Sequence, residues 1–159
     1  MNSIMKEQGP VLEQTQALRN QLMEMLTDED LGYSPGGENP TLGALCREMG
    51  EVQQAYVSSF QTFELDFGYR AEDPELECSV ERLRAWFQVL DQELKAALAS
   101  LSEEDIQNRV IDRGGGFVVP PIVQLHIYRE ALLIFYGKAS IYLKALDKSQ
   151  PEQWQSWIS

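Results

Sequence analysis

Apolar residues recur at helical spacing in four long segments, separated by clusters of turn-forming residues. The first covers about 10–26, with Val11, Leu18, Leu22 and Met25 on one side. The stretch GYSPGGENPT then breaks the chain, and Asn39 followed by Pro40 predicts a new helix start, because Asn caps free amides and Pro fits the first turn. The second segment repeats Leu42, Leu45, Met49, Val52, Tyr56, Phe60 and Phe63, a three-and-four spacing that marks one buried stripe. The third does the same with Val80, Leu83, Phe87, Leu90, Leu94, Ala97 and Leu101, and Ser79 is its expected cap. The fourth starts near Pro120 and Pro121 and runs to about Leu146.

The connections are equally informative. QTFELDFGYRAEDPELEC is acidic, aromatic and irregular, which predicts a long crossover between the second and third helices. NRVIDRGGGFVVPP places three glycines between β-branched runs and predicts a small hairpin. A phosphate-cradling loop would need Gly-Lys followed by Ser or Thr at a helix start, and that is missing. PEQWQSWIS predicts a tail that covers the bundle with Trp154 and Trp157. Four amphipathic helices with a long connection describe an all-α, antiparallel four-helix bundle, and the length predicts one domain over residues 1–159.

Charge narrows the function classes. With 25 acidic and 13 basic residues, the net charge of −12 repels phosphate backbones and anionic lipid, so no nucleic-acid and no membrane partner is expected. The start, MNSIMKEQGP, lacks a basic stretch followed by an apolar core, and a cytoplasmic location is expected. Cys46 and Cys78 form no CxxC pair and are expected as free thiols. The acids Glu103, Glu104 and Asp105 suit the positive end of a helix dipole.

NPTLGALCREMGEV in the second helix, DFGYRAEDPELECSVERLRAWFQVLDQEL across the crossover and third helix, and YGKASIYLKALDKSQPEQW at the end of the fourth resemble the DinB-like superfamily of DNA-damage-inducible four-helix bundles. The resemblance covers nearly the whole chain. It implies an up-up-down-down bundle, often dimeric, commonly holding a divalent metal with three histidines. One of these comes from a T-L-x-x-L-L-x-H pattern in the second helix, and two come from i, i+4 positions of the fourth. It also implies kinship with metal-dependent thiol S-transferases and isomerases.

Against that pattern, Glu48 stands where the second-helix histidine is expected. Aligning Gly137 and Lys138 with the family's Gly-Gln pair puts Ala131 and Phe135 at the two remaining ligand positions. A second register pairs the chain's one histidine, His126, with Glu130 and gives a Glu48, His126, Glu130 triad suited to Fe²⁺ or Mn²⁺, with Ni²⁺ or Zn²⁺ as further candidates. Helical geometry favours the first register. At about 100° per residue, Ile127, Ala131, Ile134, Phe135, Tyr142 and Ala145 share an apolar arc, whereas His126, Arg129, Glu130, Gly137, Ser140 and Lys144 lie opposite.

No metal is favoured on that reading, and the site candidates become Glu48, Lys138, Tyr128 and Tyr142. Lys138 falls inside the apolar arc, and one candidate arrangement has it approach Glu48 as an ion pair standing in for the cation, with the two tyrosines as donors. The competing arrangement has both charges in solvent. Two functions follow. One is a metal-free module that binds a small molecule or protein, or forms a structural homodimer. The alternative is a metal-dependent thiol S-transferase or isomerase using Glu48, His126 and Glu130.

Overall fold

The computed structural model describes residues 1–159. Four long helices are present: α1 (Ser3–Met25), α2 (Leu42–Thr62), α3 (Val80–Ser100) and α5 (Pro121–Ala145). A short α4 (Glu103–Asn108), a two-stranded antiparallel hairpin, β1 (Ile111–Asp112) with β2 (Val118–Val119), and a terminal α6 (Glu152–Trp157) complete the order.

Capping explains most boundaries. Thr41, Ser79 and Ser102 accept from the amides of Ala44, Arg82 and Asp105. The cap of α2 is therefore Thr41, two residues after the expected Asn39. Asp105 answers Ser102 with a reciprocal bond, so the acids of α4 serve a capping box. The first helix begins at Ser3 and not near Pro10, because Asn2 caps it and also donates to the Leu98 and Leu101 carbonyls at 2.8 and 2.9 Å. Pro10 sits inside the helix, in its third turn, and removes one amide donor. In the hairpin, Gly114, Gly115 and Gly116 all take positive φ, which side chains would resist.

Helix directions follow from paired contacts. Gly43 and Gly50 of α2 approach Glu77 and Trp86, and Gln53 bonds Asp91, so α2 and α3 run parallel. Asn2 meets Leu98, Glu13 meets Lys95 and Arg19 meets Phe87, so α1 and α3 are antiparallel. Ser59 meets Gln124, and Pro40 meets Tyr142, so α2 and α5 are antiparallel. The order is thus up-down-down-up, not the up-up-down-down that the resemblance implied. The physical reason is the crossover, residues 63–79, whose extended reach of about 3.3 Å per residue exceeds the length of α2 and returns the chain to the end it left.

One hydrophobic cluster draws on all four long helices. The third-helix stripe is buried as expected, with Val80 half-buried at the end. Trp154 of α6 is fully buried and donates to the Leu18 carbonyl at 2.9 Å, whereas Trp157 stays exposed. The fourth helix departs from expectation. Its inward stripe is Tyr128, Leu132, Phe135, Tyr136, Ala139 and Leu143, while Ile134 and Ala145 face outward and Ser140 is buried. Both sides of this helix are apolar, so hydrophobicity alone did not select the buried one.

At the centre of the core lies a charge. Arg19 of α1 is fully buried and donates to Gln53 of α2 and, at 2.5 Å, to Asp91 of α3. Gln53 donates to the same Asp91 oxygen at 2.9 Å, and the guanidinium lies 4.2 Å from the Phe87 ring centre. Burial is the largest single influence and works against the Arg19 charge, but the Asp91 carboxylate with its hydrogen bond and the nearby Tyr128 and Tyr136 together outweigh it, and the pKa is raised. Tyr136 of α5 joins by donating to the Thr15 carbonyl at 2.9 Å. Burial pushes the Tyr128 hydroxyl well above the usual phenol range, and it makes no hydrogen bond.

Both cysteines are free, with Cys46 buried and Cys78 exposed. Burial pushes the Cys46 thiol up to about 12. At pH 8 it therefore stays protonated, and a disulfide reagent should label one thiol per native chain, at Cys78, and a second only after unfolding. The buried charge makes a second prediction. Asp91→Ala strands the guanidinium and should cost about 3 kcal/mol in urea unfolding. Arg19→Met leaves a carboxylate that water can reach, so its urea midpoint should fall between wild type and Asp91→Ala.

Candidate functional site

The amino end of α2, the carboxyl half of α5 and the turn-rich loop between α1 and α2 meet around an open cleft of about 380 Å³. Its lining includes Pro35, Asn39, Pro40, Leu45, Ile141 and Tyr142. The loop is held by its own polar groups. Ser34 donates to the Asn39 carbonyl at 2.9 Å, Asn39 donates to the Gly36 carbonyl at 2.7 Å, and the Leu42 amide bonds the Tyr33 carbonyl at 2.8 Å. Tyr142 ties loop to helix by donating to the Pro40 carbonyl at 2.8 Å, with Tyr33 packed edge-on against its ring. Burial raises the Tyr142 pKa, with the neighbouring Tyr33 adding to it, so the hydroxyl remains a donor at neutral pH.

Glu48 and Lys138 both line this cleft. Both are exposed, and their charged ends lie more than 4.0 Å apart. Of the two arrangements, the ion pair is therefore not formed and the solvent-exposed one is seen. Lys138 sits on the flank of α5 and not on its buried stripe, with its ammonium 5.4 Å from the Phe135 ring centre. Two opposite charges thus face one cavity, each without a partner. Glu48 also borders a neighbouring cleft of about 330 Å³, where Glu51 and Arg70 line the wall.

Of the sequence candidates, the structure brings together Glu48, Lys138 and Tyr142. Tyr128 lies apart, enclosed in the core against Tyr56 at a ring separation of 5.1 Å. His126 and Glu130 are exposed on α5. His126 stands twelve residues before Lys138, roughly 18 Å along the helix, so Glu48, His126 and Glu130 are not assembled into a triad. Nowhere does the fold gather three or more His, Cys, Asp or Glu side chains in metal-binding proximity.

The family's three-histidine metal can be tested against the donors present. Ala131 is half-buried and Phe135 is buried, and neither carries a donor atom; Glu48 is the one ligating group at the three matched positions. Those residues do not fit such a metal.

The buried cluster of Arg19, Gln53 and Asp91 did not emerge from the sequence. A signal was there. Leu12, Thr15, Arg19 and Leu22 recur at spacings of three and four and are all buried, so Arg19 occupies a core position of its own stripe. A charged residue breaking such a stripe needs a partner on another helix, and Asp91 holds the matching place one turn after Phe87.

The architecture agrees with what is found among known proteins. The profile of the DinB superfamily matches residues 11–132. The crystal structure of a DinB-like protein from Bacillus subtilis superimposes with a TM-score of 0.67, covering 86 % of this chain and 89 % of that one at 14 % sequence identity, a likeness of fold. No curated protein matches the chain. No helix is long and apolar enough to cross a membrane. With the family profile spanning most of the 159 residues and the same bundle in the solved structure, the chain belongs to the DinB superfamily.

Proposed function

We propose that this chain is a metal-free binding module whose ligand is a small zwitterion carrying an apolar substituent, held in the cleft between α2 and α5. The observation that carries this reading is the pair of unpartnered opposite charges, Glu48 and Lys138, facing one cavity. An ammonium group on the ligand meets Glu48, and a carboxylate meets Lys138. Leu45, Ile141 and the prolines receive the apolar part. The lack of donor atoms at Ala131 and Phe135 supports the absence of a family-type metal.

An α-amino acid with an aliphatic side chain has this shape and charge. L-leucine and L-methionine, titrated calorimetrically, should bind, whereas isopentylamine and 4-methylpentanoate, each lacking one charge, should bind about tenfold to a hundredfold more weakly. Glu48→Gln and Lys138→Met should each cause a loss of similar size without changing the melting temperature, because both side chains are exposed. Equal binding of the zwitterion and its one-charge analogues would overturn the reading. Stoichiometric uptake of Mn²⁺, Fe²⁺, Ni²⁺ or Zn²⁺, lost on His126→Ala, would replace it with the metal-dependent transferase or isomerase.

A further inference from the structure

A cleft of about 190 Å³ opens between the amino half of α1 and the carboxyl half of α3, and it shares no lining residue with the cleft between α2 and α5. Its apolar lining comes from Met5 and Leu12, and Gly9 lies between them on the same side of α1. A glycine inside a helix is destabilising relative to alanine, yet a Cβ at Gly9 would meet nothing within 4 Å. No contact within the chain calls for the missing side chain, and its absence leaves the floor of the cleft open. A second hollow of about 200 Å³ continues the cleft over Met5 and Gly9 toward Met1.

The polar end carries two unfilled hydrogen-bonding positions. Gln16 lines the cleft and is only 9 % exposed, and its amide nitrogen has no partner in the chain. A buried donor left unpaired costs free energy, which a ligand acceptor would recover. Asp91 receives both Arg19 and Gln53 on one oxygen, Oδ1. Its side chain is 21 % exposed and also lines the cleft, which leaves Oδ2 as an acceptor.

Charge, by contrast, is already settled here. Asp91 is paired with Arg19, and Lys95 at the rim is paired with Glu13 at 3.4 Å. A charged ligand finds no free counter-charge, whereas a neutral one that both accepts and donates finds partners for each.

We propose that this cleft is a second binding site, which takes a neutral primary carboxamide on a short alkyl chain. The last torsion of a glutamine is broad, so Gln16 turns its nitrogen to the cleft side when an acceptor arrives. The two carboxamides then pair edge to edge, each donating to the other's oxygen. The ligand's second N–H donates to Asp91 Oδ2. The alkyl chain covers Leu12, fills the space over Gly9 and ends near Met5. A carboxylate has no hydrogen to offer Asp91 and meets its charge, and an ammonium has no oxygen for the Gln16 nitrogen. The site does not depend on the α2–α5 reading, and either can fail alone.

The test is a titration of the full chain, labelled with ¹⁵N, with hexanamide, hexanoate and hexylamine, followed by two-dimensional NMR. Hexanamide should shift the Gln16 side-chain resonances and the Gly9 and Leu12 amides, saturably and together. Hexanoate and hexylamine should bind there about tenfold more weakly or less. Gln16→Met keeps the side-chain length and removes the unpaired donor, so hexanamide binding should fall about tenfold while the urea midpoint holds or rises. Gly9→Leu should fill the cleft and abolish the shifts, with the helical circular dichroism spectrum unchanged. No shift at Gln16 and Gly9 up to about 20 mM hexanamide would overturn the proposal. So would equal binding of the amide, acid and amine, or binding indifferent to Gln16→Met.

Discussion

A guanidinium with no access to water organises this bundle. Arg19 is fully buried, and a charge in that position survives only with an opposite charge and hydrogen-bond acceptors at close range. Those come from two other helices, Gln53 on α2 and Asp91 on α3. The two are also bonded to each other, so the three side chains form a closed set. Well-packed hydrocarbon could stabilise the core as well or better. What the polar set fixes is register. Sliding α1, α2 or α3 by one residue would leave the charge unmatched, whereas a leucine core would accept several near-equal packings. The same charge lies near Tyr128, Tyr136 and Cys46, each of which burial holds in its neutral, protonated form.

With three helices registered around Arg19, the fourth is placed by its tyrosines. Tyr136 bonds the Thr15 carbonyl, and Tyr128 packs at a tilt against Tyr56, so this side of α5 turns inward. That rotation has two consequences. Lys138 moves to the flank, where it shares a cleft with Glu48 and not a salt bridge, leaving the two charges unpaired. Ile134 and Ile141 move to the outside, where they are exposed.

The contrast between α3 and α5 shows how much was legible beforehand. In α3 one stripe is apolar and the rest is polar, and the stripe read from the sequence is the stripe that is buried. In α5 apolar residues occur around most of the circumference, and the arc from Ile127 to Ala145 that spacing marks overlaps only in part with the buried stripe through Leu132 and Tyr136. Only half of the Glu48 and Lys138 expectation therefore survived. The residues are neighbours in space, but the ion pair depended on an inward Lys138. Apolar periodicity does not mark Arg19, because this position continues the stripe with a charge.

The sequence by itself determined the four long helices, most of their limits, the glycine hairpin and the buried Trp154. These follow from spacing, caps and turn residues within a few positions of one another. Tertiary structure alone decided the up-down-down-up order, the meeting of Arg19 with Asp91, and which side of α5 faces the core. Each of these depends on groups far apart in the chain, and no local pattern records the charge or shape that another helix will present.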